Sequence, residues 1–139
     1  MSYDDQNVFA KILRGELPAA RVYEDDKVVA FMDIMPRAPG HCLVIPRAPA
    51  RNLLDCDDAD LAACMAVAKR VAAAAMKAFG AEGITLTQAN EQAGGQEVFH
   101  LHFHIIPRMA GQRLNPPASE MEKPDVLMAN ADKIRAAME

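Results

Sequence analysis

Three of the chain's four histidines, His100, His102 and His104, stand at alternate positions in the run GGQEVFHLHFHIIPR, residues 94–108. Along an extended strand, successive side chains point to opposite faces. This spacing therefore sends Phe99, Leu101, Phe103 and Ile105 to one face, towards a core, and all three imidazoles to the other. Burying three imidazoles for packing alone is a poor solution, because each ring needs hydrogen-bond partners. A metal site is a second reading. However, alternate strand residues lie about 7 Å apart and the outer pair about 13 Å apart, whereas zinc holds its ligands at about 2.0–2.1 Å. Two neighbours, or one of them with His41, can share an ion, but three on a straight strand cannot easily do so. The third reading is nucleophilic and acid–base chemistry, since a neutral imidazole is a competent nucleophile near pH 7. Gly94-Gly95-Gln96 leads directly into the strand, and its backbone N–H groups and amide favour phosphate as the group attacked.

The elements that must position these rings follow from periodicity. Residues 5–14 read as a short helix with Val8, Phe9, Ile12 and Leu13 on one face, Asp4 or Asp5 at the cap and Gly15 at the end. Arg21–Glu24 and Val28–Asp33 form a hairpin around Asp25-Asp26-Lys27. Pro36, Pro39 and Gly40 mark a loop before a strand over His41–Pro46. The spacing of Leu61, Cys64, Met65, Ala68, Val71, Ala72, Ala75, Met76 and Phe79 predicts a helix over Asp58–Phe79, packed by that stripe. Asp57 or Asp58 can cap it and Gly80 can end it. Strands follow at Ile84–Gln88 and Val98–Ile106, joined by a loop over 89–96. Pro124 opens a final helix over Asp125–Met138, and residues 110–123 read as irregular. The order implies an α+β fold with a mostly antiparallel five-stranded sheet, one long helix on one face and short terminal helices.

Composition sets outer bounds. The chain has 139 residues, 51% hydrophobic and 24% charged, with a net charge of −4, enough for one core. No basic stripe supports binding to nucleic acid, so phosphate must be held by local donors. Cys42, Cys56 and Cys64 form no C-x-x-C pair, and Cys64 falls on the apolar helix face. With no apolar leader and no membrane-length run, a reduced cytoplasmic compartment without membrane association is expected.

The run GGQEVFHLHFHIIPR resembles the signature of the histidine-triad (HIT) family. The earlier stretch FAKILRGELPAARVYEDDKVVAFMDIMPRAPGHCLVIPR resembles the family's N-terminal half, in the correct order. The pattern is nearest to bacterial, nucleoside phosphoramidase-like members. The resemblance implies a single domain over 1–139, with a core at about 5–110 and an extension over 111–139, assembled as a homodimer whose sheets join. It implies that His102 is the nucleophile, that His100 and His104 contact phosphate and orient it, and that His41 packs behind them. It also implies that Asp33 binds the ribose hydroxyls, that Ile34, Phe9 and Ile12 wall the base, and that Asn90 and Gln96 are polar contacts. Gly95, Glu97 and Val98 complete the implied nucleotide site.

Some relatives carry a zinc site built on C-x-x-C and two histidines. Here Asn7-Val8-Phe9-Ala10 and Pro49 stand in its place, so no metal and no cofactor is expected. Glu97 stands where phosphoramidases often have a serine that helps the leaving group depart, which makes Glu97 a candidate general acid. The expected ligand is a purine nucleotide derivative, cleaved through a nucleotidyl-histidine. Hydrolysis of dinucleoside polyphosphates, a slowly turning-over nucleotide-binding signalling module and a structural metal protein are the alternatives.

Overall fold

The structure, a computed structural model, describes residues 2–138. The first helix, α1, spans Val8–Leu13. It starts later than expected because Asn7, not Asp4 or Asp5, takes the cap, its side-chain oxygen accepting the Ala10 N–H at 2.9 Å. Asp4 instead accepts the Gln6 N–H in the preceding turn. Strands β1 (Arg21–Glu24) and β2 (Val28–Met32) form the expected hairpin. Asp25 closes it by accepting the N–H groups of Lys27 and Val28 at 2.8 and 2.7 Å.

Strand β3 (Cys42–Pro46), helix α2 (Asp58–Phe79), strands β4 (Gly83–Thr87) and β5 (Phe103–Arg108), and helix α3 (Pro124–Ala137) complete the chain. The five strands make one sheet in the order β1-β2-β3-β5-β4, with every neighbouring pair antiparallel. The α+β expectation therefore holds, with most boundaries within a residue or two.

Register assigns the two faces. Val44 pairs with Phe103 and Cys42 with Ile105, while Leu43 pairs with His104. The Val44 and Cys42 side carries Val28, Ala30, Met32, Leu101, Phe103 and Ile105. It packs against Cys64, Val67, Ala68, Val71, Ala74 and Ala75 of α2 and Leu127, Ala131 and Ile134 of α3. On the Leu43 side, Val29, Phe31 and Ile45 meet Phe9 and Ile12 of α1. Met65, placed in the core stripe by its spacing, is 46% exposed; Val67 and Ala74 face the sheet instead.

The largest departure from expectation is at the triad strand, which begins only at Phe103. Residues 98–102 leave the ladder because other partners claim their backbone. The Leu101 N–H donates to Ala50 O at 2.9 Å, and the Gln96 amide donates to Val98 O at 3.0 Å. Phe99 consequently stays out of the core and lies half-buried beneath the Arg51 guanidinium, 4.3 Å from its ring centre. Among the described residues, no helix is long and apolar enough to cross a membrane.

Candidate active site

The ends of three neighbouring strands bring the histidines together. His41 immediately precedes β3, Asp33 immediately follows β2, and the Asp33 N–H donates to His41 O at 3.0 Å. His104 sits within β5. His102 precedes that strand, its ring 5.0 Å from the His104 ring and 4.9 Å from the ring of Phe9, edge-on to both. Helix α1 thus supplies one wall of the His102 pocket through Phe9, which also packs on Phe31.

Hydrogen bonds to the backbone set the tautomers of His102, His41 and His100, and His41 in turn sets that of His104. His102 Nδ1 lies 2.6 Å from the His100 carbonyl, which can only accept, so Nδ1 carries the proton and Nε2 presents a lone pair. His41 Nδ1 accepts the Arg37 N–H at 3.0 Å, so its proton is on Nε2, which donates to His104 Nδ1 at 2.9 Å. His104 is thereby left with its proton on Nε2, a donor on a ring 5.0 Å from that of His102. His100 Nε2 donates to Pro46 O at 2.8 Å, and its Nδ1 accepts from the Tyr3 hydroxyl at 2.6 Å. Both ring nitrogens of His100 are therefore occupied, and it reaches His102 through its carbonyl oxygen.

Burial keeps this cluster uncharged. It pushes the His41 ring down to about 3 and the His100 and His104 rings down to about 4, and it lowers His102 as well. Asp33 moves the other way, up to about 6, mainly through burial and further through the charge of Glu97; the Met35 N–H on its Oδ1 at 2.8 Å opposes the rise. Its Oδ2 lies 3.5 Å from His41 Nε2 and 3.9 Å from His104 Nδ1.

Asp33, His41 and His104 have the ligand-atom spacing of a metal site, all within 4.8 Å of one another. The tautomers oppose that use. A neutral histidine that binds metal through Nε2 carries its proton on Nδ1 and donates it outward, whereas His41 Nδ1 here faces the Arg37 N–H.

The loop before the triad differs from its expected use. The N–H groups of Gly94, Gly95 and Gln96 donate to Glu91 O, Gln92 O and Glu91 O, so none is left for phosphate. Gln96 is 3% exposed and its amide is spent internally: Oε1 accepts the Glu91 N–H at 2.7 Å, and Nε2 donates to Arg51 O and Val98 O. Asn90 accepts the Leu53 N–H and pairs with Gln88. Both residues hold the loop rather than facing the histidines. Immediately after Gln96, the N–H groups of Glu97 and Val98 have no partner within the chain among the described residues. Ile34 is 44% exposed on its loop, whereas Ile12 is buried in the smaller core.

Several residues with structural roles at this site were missed in the sequence. Asn52, fully buried, donates to the Glu91 carboxylate at 2.6 Å, and Arg51 grips the same carboxylate at 2.7 and 2.9 Å. These contacts hold Glu91 at φ 63°, a conformation unfavourable for a side chain with a Cβ. No local spacing signals partners some forty positions apart. Tyr3, ninety-seven positions from His100, gave no signal either.

The profile of the HIT domain matches residues 14–111. The chain belongs to the histidine-triad family. A HIT-like protein of Borreliella burgdorferi is 44% identical over 104 residues, covering 73% of this chain and 74% of that protein. An adenylylsulfatase of Arabidopsis thaliana is 39% identical over 101 residues, 73% of this chain and 51% of that protein. The same HIT fold occurs in a crystal structure of a HIT-like protein involved in cell-cycle regulation from Bartonella henselae. It has a TM-score of 0.92 and 54% identity, covering 98% of this chain and 99% of that one. A hypothetical histidine triad nucleotide-binding protein of Sulfolobus tokodaii aligns with a TM-score of 0.85 at 32% identity, over 94% of this chain and 90% of that one.

Proposed function

We propose that this chain is a nucleotide-binding hydrolase that attacks the α-phosphorus of a purine nucleoside phosphoramidate with His102 Nε2. The observation that carries this reading is the 2.6 Å hydrogen bond from His102 Nδ1 to the His100 carbonyl, which leaves an uncharged ring with an outward lone pair. In the first step a bond forms between Nε2 and phosphorus as the phosphorus–nitrogen bond to the leaving amine breaks. In the second, water forms the new phosphorus–oxygen bond, His102 departs and the 5′-mononucleotide is released. His104 Nε2–H and the unpartnered N–H groups of Glu97 and Val98 are donors for the charged equatorial oxygens. Asp33 accepts from the ribose hydroxyls, Ile34 and Phe9 supply apolar walls, and the purine preference follows family resemblance.

An amine leaving group suits the surroundings better than a polyphosphate. A cavity of about 430 Å³ that no histidine lines is bounded by Asp4, Asn7, Val8, Arg51, Glu97, Val98 and Phe99, and the proposed leaving group would extend into it. Its one cation, Arg51, is already paired with Glu91. Asp4 would repel an anionic leaving group, and Glu97 is the proposed source of the proton that a departing amine needs. The likeness to a plant adenylylsulfatase makes adenylyl sulfate the second substrate to examine.

The proposed assembly is a homodimer. β4 is an edge strand with Leu86 42% exposed, and exposed Met65 lies on α2, which packs across the same sheet.

The deciding experiment compares AMP and GMP release from phosphoramidate, dinucleoside polyphosphate and adenylyl sulfate substrates, with rapid quench of a radiolabelled substrate in alkaline denaturant. An acid-labile nucleotidyl adduct on His102, formed fastest from the phosphoramidate, is expected. An adduct on His100 or His104 would refute the mechanism.

A further inference from the structure

Residues 109–123, between β5 and α3, have no regular secondary structure and no part in the chemistry above. Four of their hydrogen bonds nevertheless converge on one place. The Asn115 N–H donates to Arg37 O at 2.8 Å, and the Arg37 guanidinium Nε donates back to Asn115 O at 2.8 Å. Asn115 Nδ2 reaches Pro36 O at 3.2 Å, and the Glu122 N–H donates to Ile34 O at 2.8 Å. All four bonds land on the loop between β2 and β3.

That loop carries two parts of the site on its inner side. Asp33 opens it, and the Arg37 N–H fixes the His41 tautomer and, through His41, that of His104. Its outer side is held by this segment. The segment is itself anchored at both ends, by β5 in the sheet and by α3, whose Leu127, Ala131 and Ile134 are buried. A chain restrained at both ends pays less ordering entropy when it forms such bonds than a free tail would.

We propose that residues 112–122 form a strap that positions the Asp33–Arg37 loop, with Asn115 as a positioning residue for ribose recognition. The proposal rests on the nucleotide reading above. The strap touches neither phosphate nor histidine, so its loss acts through the placement of Asp33 and Arg37. Asn115→Pro combined with Glu122→Pro removes both strap N–H donors and the Asn115 amide while leaving α3 and every site residue intact.

Two measurements test it. Hydrogen exchange should speed up at residues 33–41 in the double variant and stay unchanged in α2. The KM for a ribonucleoside substrate should rise about tenfold, the scale of one well-placed hydrogen bond. The KM for its deoxyribose counterpart should change by less than about twofold. If the double variant loses its fold, Asn115→Ala, which removes only the bond to Pro36, should produce the same pattern with about a twofold shift. A folded variant with unchanged exchange at 33–41 and unchanged ribose discrimination would overturn the strap. Failure of the nucleotide reading looks different: the wild type itself would show no preference for ribose, while the exchange result could still stand.

Discussion

The two faces of the central sheet are made from the same five strands and put to opposite uses. On the α2 face, Val28, Ala30, Met32, Val44, Leu101, Phe103 and Ile105 meet α2 and α3 in an all-apolar cluster. On the other face, the short helix α1 covers only Val29, Phe31, Leu43 and Ile45, and four imidazoles crowd at the strand ends beside it. The first face needs no polar partners because it buries no polar side chains. The second buries His41 and His100 almost completely and satisfies them with backbone groups and a tyrosine. Stability is concentrated where the sheet is thickly covered. Chemistry is placed where the cover is thin enough to admit a ligand yet deep enough to keep the imidazoles neutral.

This division can be broken from either side. The largest effect should follow His102→Ala, which removes the proposed nucleophile but leaves Asp33, Phe9 and the sheet intact. Turnover should fall by several orders of magnitude, while nucleotide affinity stays within about tenfold and thermal stability barely moves. Near-wild-type turnover in that variant would sink the assignment. Next, Asp33→Ala should weaken ribonucleotide binding by about 1.5–3 kcal/mol, the range for a hydrogen bond to a charged group. Calorimetry with ribo- and deoxyribonucleotides checks this, and equal losses for both sugars would remove Asp33 from ribose recognition.

From the other face, Val71→Ala empties part of the α2 contact, where Val71 is fully buried. It should cost about 2 kcal/mol of stability and leave nucleotide affinity unchanged. A loss of affinity comparable to the loss of stability would show that the faces are coupled rather than separate.

The smallest and most graded effect is that of pH. His41, held at about 3, and His100 and His104, held at about 4, are neutral in the fold, whereas the unfolded chain protonates them near 6.5. Between those values the unfolded state binds more protons, so their contribution is complete above about 6.5 and is lost as pH falls towards 4. Asp33 opposes this: raised from 3.8 to about 6, it holds its proton more firmly when folded and gains stability as pH falls through that window. With three groups against one, the urea midpoint should decline steadily from pH 7 to pH 5. A flat or rising midpoint would mean that the imidazoles are not held neutral by the fold. The α2 face should contribute nothing to this slope, since Cys42 and Cys64 are pushed up to about 12 by burial.

The triad was legible in the sequence because it depends on neighbours. Strand alternation alone sends Leu101, Phe103 and Ile105 to one side and His104 to the other; the register bears this out for 103–105, and Leu101 reaches the same core from outside the ladder. The spacing of Cys64, Ala68, Val71 and Ala75 likewise marked the long helix and its buried side. Reading stopped where a residue's partner lies far along the chain. Gln96 looked like a phosphate contact because a glycine pair precedes it, but its amide is spent on Arg51, Glu91 and Val98. Val98–His102 looked like strand because it alternates, but Ala50 and Gln96 draw its backbone out of the ladder.

Local periodicity, then, determined the elements, the core face and which histidine stands at the centre, because these follow from the repeat of the backbone itself. The tertiary structure alone decided which nitrogen of each ring carries the proton. That choice depends on the Arg37 N–H, the Pro46 and His100 carbonyls and the Tyr3 hydroxyl. A ring's tautomer is set by the donor or acceptor it meets in space, and most of these partners reach the site only when distant segments of the chain fold against it.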